Sequence, residues 1–420
     1  MKKFLFFLRA YNDFDHLAPL IWKCLEKGDE PVILLTTNFK IEDDYRFKLI
    51  NQDKNVRVIY DVDKVFEKHF KAKTFIQKFN RKIYMLRRRP NSFIGKVYRK
   101  LFYNLSSEMN FLRKENFHAC IFEWSTPFAR GDKIEKYFIA SKALGIKTLA
   151  LPHGCNIFVN SDVTSGYRDS LIKGKFVDQS ETNLFDYYIF QNPIRRDGWV
   201  KWGFDPAKTQ AWGSLRFYPD WAKRNLEFCP PFDTKNLPSK KLRVAFMQFQ
   251  KEYNINNLKV KDFLKKLSNI DDISIVVKDA TREGKSFYDK SKETRELGKS
   301  LVSWVGNEVH SPSLIAWSDL VIVIGGSIGI EAMLQNKHVL YPSFLSSNFT
   351  LYEKYNAAFC TNSEEDSITL INCLKKGIEV AIPEGKEDIF KEIIYAGKEK
   401  YDVLEKYYEE ISANTLNYLN

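Results

Sequence analysis

Short unbroken apolar runs recur along this chain, separated by longer stretches in which apolar residues return every three or four positions. Lys3 to Leu8 is the first run and His16 to Lys27 the first helical stretch, with Asp15 placed to cap it. Strands are predicted at Pro31 to Thr36, Val56 to Tyr60, Ala119 to Phe122, Lys147 to Leu151 and Tyr187 to Phe190, with a helix over Asp132 to Leu144. An unbroken run suits a strand buried on both faces, as in a parallel sheet covered by helices. The alternation therefore predicts an α/β architecture. Between Phe228 and Lys240 the pattern dissolves into prolines and polar residues, then resumes at Leu242 to Met247 and Ile273 to Val277. We read 1–227, with a basic helical insertion at 64–104, and 241–385 as two α/β domains, 228–240 as their linker, and 386–420 as a helical segment.

The second domain holds the most informative stretch. Leu320 to Ile324 reads as a buried strand, Gly325, Gly326 and Ser327 turn the chain into a helix beginning near Ile328, and a strand returns at Val339 to Tyr341. A turn of small residues, with Gly329 just beyond, lets phosphates approach backbone N–H groups at the positive end of a helix. Glu331, about one turn in, is placed to accept from ribose hydroxyls. Any doubly wound sheet also needs glycines in such turns, so the pattern alone leaves nucleotide binding and plain packing both open.

Composition narrows the classes. With 44% hydrophobic residues over 420 positions, the chain can bury more than one core. Six scattered cysteines form neither a zinc knuckle nor a disulfide framework, which fits a reducing cytosol. Arg9 cuts the opening apolar run, so a first strand is a better reading than a signal peptide, and no run reaches the ~18 residues of a membrane span.

The net charge of +12 is concentrated in one window: Lys64 to Lys100 holds thirteen Lys or Arg and one acid. Nine aromatics lie between Phe66 and Tyr103, and Arg87, Arg88 and Arg89 sit at the centre. Such a segment suits an anionic membrane surface; a solvated helix face and nucleic acid are the other readings. No nucleic-acid-binding signature accompanies it, so that partner is not expected.

Two similar-sized Rossmann-like halves, with a phosphate-type turn in the second, resemble the GT-B glycosyltransferase superfamily, which includes the UDP-GlcNAc 2-epimerase fold and CDP-glycerol glycerophosphotransferases. Arg9 to Ile21 resembles the superfamily's first strand, loop and helix. Ala211-Trp-Gly213-Ser214-Leu-Arg216 resembles the glycine turn that closes its first domain, and Ser318 to Pro342 its donor-nucleotide helix. The resemblance implies two domains facing a cleft, with Gly213, Ser214 and Arg216 beside it, and a C-terminal helix. It implies a transferase of surface polysaccharide biosynthesis, moving a group from a nucleotide-sugar or nucleotide-alditol donor to a glycan or lipid-linked acceptor. The enzyme would be cytoplasmic and peripheral on the inner membrane face, with no cofactor and no metal.

Catalytic candidates follow from position. Leu149-Ala-Leu-Pro-His153-Gly154 carries an imidazole straight off a strand's C-terminal end, where open α/β sheets bind ligands. Histidine is also the side chain best suited to proton transfer near neutrality. Glu123, after the strand at Ala119 to Phe122, and His16 are the alternatives, with Asp132 a further carboxylate in reach. On the donor side, Lys278 resembles a cation that ends the equivalent strand in related transferases; Arg282 follows it and His310 precedes the next helix. Asp61-Val-Asp63 copies a metal-binding pattern of the other major glycosyltransferase fold, a reading that leaves the second-half βαβ unit unexplained. Two rivals stay open: an epimerase on the same fold, and a non-catalytic membrane or nucleic-acid binding protein that uses the basic window.

Overall fold

The computed structural model describes residues 1–9, 11–52, 56–62, 92–123, 132–152, 154–160, 165–174, 178–235, 237, 240–248, 253–278, 302–306 and 308–413. In chain order these form β1 (Lys3–Leu8), α1 (Tyr11–Glu26), β2 (Glu30–Leu35), α2 (Tyr45–Ile50), β3 (Arg57–Tyr60), α3 (Phe93–Phe102) and α4 (Ser106–Glu115). Next come β4 (Ala119–Glu123), α5 (Asp132–Ala143), β5 (Lys147–Leu151), α6 (Ser165–Ile172), β6 (Tyr187–Phe190), α7 (Pro193–Lys201), β7 (Thr209–Ala211) and α8 (Pro219–Phe228). The later chain gives β8 (Leu242–Met247), α9 (Asn257–Leu267), β9 (Ile273–Lys278), β10 (Val302–Val305), α10 (Ser311–Trp317), β11 (Leu320–Val323), α11 (Ile328–Leu334) and β12 (His338–Pro342). It closes with α12 (Leu351–Tyr355), β13 (Phe359–Thr361), α13 (Glu364–Lys375), α14 (Lys386–Ile394) and α15 (Val403–Ser412).

The chain folds as two compact units: Met1–Gly154 with Asp178–Arg216 and Tyr401–Asn420, and Cys155–Val177 with Phe217–Lys400. This division differs from the sequence-based boundaries, for identifiable reasons. Residues 155–177 join the second unit because the Val159 N–H donates to the Phe349 carbonyl (2.9 Å) and the Leu351 N–H to that of Ile157 (2.8 Å). The stretch read as a linker is also packed there: Phe232 lies edge-on to Trp317 at 5.4 Å between ring centroids. Residues 386–420 are likewise split, α14 belonging to the second unit and α15 to the first.

The first unit is built on a sheet ordered β3-β2-β1-β4-β5-β6-β7, in which every described pairing is parallel. Aromatics fill one face of it, with Phe7 stacked on Phe122 at 4.2 Å and Phe185 and Phe138 beside them. Helix α1 begins at Tyr11, earlier than the predicted His16, so Asp15 lies inside the helix and does not cap it. Its carboxylate is drawn instead into ion pairs with Arg46 and with Arg216 (3.1 Å).

The second unit's sheet runs β10-β9-β8-β11-β12-β13, again parallel. Val244 and Phe246 of β8, Ile275 and Val277 of β9, and Leu320 and Ile322 of β11 share one core with Val260, Phe263 and Leu264 of α9. Connections from β8 wind one way to β9 and β10, and those from β11 wind the other way. The reversal leaves a crevice beyond the carboxyl ends of β8 and β11, where such sheets bind ligands.

Candidate active site

Three segments meet at that crevice. Met247, the last residue of β8, is in register with Val323 of β11 and Lys278 of β9, so Gln248, Ile324 to Ser327 and Lys278 leave the sheet together. The order of the strands, more than any motif, makes them neighbours.

Gly325 takes φ = +84°, a conformation that glycine adopts without steric cost and that swings the chain from strand toward helix. Gly326, Ser327 and Ile328 are then partly exposed, while Gly329 and Glu331 are buried. Within the first turn of a helix the N–H groups lack carbonyl partners four residues back, so this exposed stretch is the face a phosphate can approach. Gly329 has a different reason to be glycine. A Cβ there would stand 2.4 Å from the Tyr352 hydroxyl. That hydroxyl donates to the Gly326 carbonyl at 2.8 Å and receives the Gly329 amide. Burial pushes the Tyr352 pKa far up, so the phenol stays protonated and braces the turn from beneath. Gly325 and Gly329 thus shape the turn, and Gly326, Ser327 and Ile328 present it.

Gln248 is the residue that sequence reasoning missed. It is buried, at 7% exposure, and neither its Oε1 nor its Nε2 has a hydrogen-bond partner among the described residues. Native proteins rarely leave both ends of a buried amide unmet, because each unpaired group costs roughly 1–3 kcal/mol. An amide standing directly after the buried strand Leu242 to Met247 is the one signal in the sequence that points to it.

Lys278 is held more tightly than expected. Its ammonium donates to the carbonyls of Gly306 (2.7 Å) and Val309 (2.6 Å), tying the end of β9 to the loop before α10. His310 occupies the cap position of α10, where its carbonyl accepts from the Ser313 hydroxyl (3.0 Å) and the Leu314 N–H (3.2 Å). Arg282 lies outside the described residues.

In the first unit, the equivalent point lies beyond β1 and β4, where α1 starts. His16 is buried on α1, with its Nδ1 3.5 Å from the Gln191 amide nitrogen. Beside it Arg46, also buried, stacks on the Tyr11 ring at 4.0 Å and donates to the Tyr11 carbonyl at 3.0 Å. Burial works against the Arg46 charge, but Tyr11, Asp15 and Asp44 more than offset it and hold the guanidinium pKa high. Burial in turn pushes the Tyr11 phenol to about 12. This Asp–Arg network ties the first turns of α1 to Arg46 of α2 and to Arg216.

The Gly213 turn is anchored within the same unit. Gly213 takes φ = +84°, and its carbonyl accepts from the buried Tyr407 hydroxyl at 2.9 Å. Ser214 is buried, and Arg216 pairs with Asp15. Glu123 ends β4 in register with Leu151, the last residue of β5; its side chain, like that of Asp132, lies outside the described set. His153 lies outside the described residues too, as do Arg87, Arg88, Arg89 and Asp63. Asp61 is engaged by Lys133 (2.8 Å) and by the Tyr137 hydroxyl (3.1 Å), which makes it a partner for a cation already in the protein. Among the described residues no group of three or more His, Cys, Asp or Glu is arranged to hold a metal ion.

No family model matches the chain, and no curated protein does. Solved structures do. A glycosyltransferase from Rickettsia africae ESF-5 superposes with a TM-score of 0.54 at 14% identity over 99% of both chains. The UDP-GlcNAc 2-epimerase of Methanocaldococcus jannaschii gives 0.54 at 13% identity, covering 93% of this chain and 98% of that one. Anabaena HepE in complex with UDP-glucose gives 0.56 at 12% identity, covering 98% and 100%. Identities this low speak to the fold alone. Two parallel-sheet α/β units with these strand orders and these structural relatives give the chain a GT-B-like fold.

Proposed function

We propose that this protein is a glycosyltransferase, or an alditol-phosphate transferase, that binds a nucleotide-activated donor through its second unit and passes the activated group to a hydroxyl acceptor. One observation carries the reading: a buried amide with both ends unmet, Gln248, leaves the sheet beside a partly exposed Gly326–Ser327 turn at the crevice. A phosphate oxygen would satisfy the amide's donor but not its acceptor. Sugar hydroxyls, which both give and take hydrogen bonds, satisfy both. A ligand carrying phosphates and hydroxyls together fits the two features at once. Structures of similar fold that contain UDP or UDP-glucose support a nucleoside diphosphate sugar.

In the sugar-transfer form of the reaction, the acceptor oxygen forms a bond to the anomeric carbon. The bond from that carbon to the diphosphate oxygen breaks, and the diphosphate leaves with the electron pair. The turn's N–H groups and the charge of Lys278 would stabilise the departing diphosphate, with Arg282 as a further cation and without a metal. His153 would take the acceptor proton, with Glu123 or His16 as the alternative base. An acceptor in surface polysaccharide assembly, a glycan or a lipid-linked saccharide, suits this scheme.

The same fold supports an epimerase reading equally well, since the Methanocaldococcus enzyme shares it over nearly its whole length. Product analysis separates the two. Incubated with UDP-GlcNAc or UDP-glucose alone, a transferase leaves the sugar configuration unchanged and releases nucleotide when an acceptor hydroxyl is added. In the transferase assay, His153→Ala is expected to lower turnover by ~10²–10⁴ with donor affinity little changed. A C2 epimer formed without acceptor would replace the transferase reading with the epimerase one.

A further inference from the structure

We infer that α3 is a membrane-docking helix whose apolar face enters the headgroup region of an anionic bilayer. Phe93, Ile94, Val97 and Leu101 are 80%, 39%, 37% and 69% exposed. At 100° per residue these four fall within an arc of roughly 100°. Isolated exposed apolar residues are ordinary on a protein surface, but four on one stripe of a ten-residue helix are not. The other side of the helix faces the protein. Gly95 is buried, and Arg99 pairs with Glu135 of α5 at 3.2 Å, the two side chains 13% and 4% exposed.

Charge selects the occupant. Lys96 and Lys100 are exposed along one border of the apolar arc, where their stems can lie along lipid while the ammonium groups reach phosphates. They end a window, Lys64 to Lys100, with thirteen basic residues and one acid. A second copy of this chain would set like charges against each other, and a nucleic acid would leave the apolar arc in water. An anionic lipid surface satisfies both. The inference goes beyond the donor reading and does not depend on it, although a lipid-linked acceptor would gain from it.

The test is co-sedimentation of the full chain with vesicles of phosphatidylcholine alone and of phosphatidylcholine with roughly a third phosphatidylglycerol, at low and physiological salt. Expected is binding to the anionic vesicles that weakens with salt. Phe93→Ser/Leu101→Ser and Lys96→Gln/Lys100→Gln should each lower it at least ~10-fold, because the apolar and basic parts act together. All four substitutions are at exposed positions, so melting temperature and donor binding in solution should match the wild type. Either reading can therefore fail without the other. The proposal is overturned if the wild type ignores anionic vesicles, if Phe93→Ser/Leu101→Ser binds them as the wild type does, or if light scattering shows dimers that this variant abolishes.

Discussion

At the scale of single residues, the site combines two kinds of constraint that look alike in a sequence. Gly326 and Ser327 are partly exposed, whereas Gly329 is small because Tyr352 fills the space beside it. Gly329→Ala should therefore destabilise the second unit by roughly 1–3 kcal/mol, the range for overpacking a tight site. In urea unfolding, adding Tyr352→Leu should recover part of that loss, since neighbours are not additive. A fully additive double variant would mean that the contact carries no strain. Gln248 shows the opposite economy. On the proposed function its unmet amide would cost stability in the free protein and be satisfied by the donor, a trade between stability and function. The Gly-Gly-Ser turn could be read from sequence because small residues between an apolar run and a helix form a pattern. Gln248 and Tyr352 could not: one amide has no periodicity, and Tyr352 reaches the turn only through the fold.

At the scale of elements, the central strands and the β3 edge were legible and the other edges were not. β11 is an unbroken apolar run, β8 and β9 are apolar apart from Arg243, Ser274 and Lys278, and the structure places all three close to the sequence-based spans. The missed strands β7, β10 and β13 are edges of three or four residues in which Thr209, Gln210, Ser303 and Thr361 leave no apolar run. Helix α1 starts early because Arg46 and Arg216, distant in sequence, supply charge to Asp15, which local capping rules read as a terminus. Helix α15 joins the first unit through similar long-range contacts: Lys23 and Lys27 pair with Glu405 at 3.0 and 2.7 Å, and His118 Nε2 meets the Ser412 carbonyl at 2.9 Å. Burial lowers the His118 pKa below its ordinary 6.5. The unfolded chain then binds the proton more readily than the folded one, so stability is complete above about pH 6.5 and declines as pH falls toward the lower folded value. Melting temperature against pH should show this limb in the wild type and a flatter one in His118→Gln. An identical limb in both would place the titration elsewhere.

At the scale of the whole molecule, the sequence carried the fold class but not the path of the chain between units. The α/β class follows from the buried runs and helices, and the GT-B-like fold from the resemblance; that residues 155–177 belong with the second unit, and 401–420 with the first, depends on hydrogen bonds and packing no local pattern encodes. On the proposed function, the crevice of the second unit holds a nucleoside diphosphate sugar. Calorimetric titration of the wild type, Gln248→Leu and Gly326→Val with UDP-, CDP- and GDP-sugars tests it most directly. The wild type is expected to bind at least one of them. Gly326→Val should abolish that binding, because a branched side chain blocks the phosphate's approach to the turn. Gln248→Leu should weaken it at least ~10-fold while melting at the same temperature or higher, because the buried amide's unmet polar groups are gone. Wild-type protein that binds none of these donors, or variants that bind as tightly as the wild type, would contradict it.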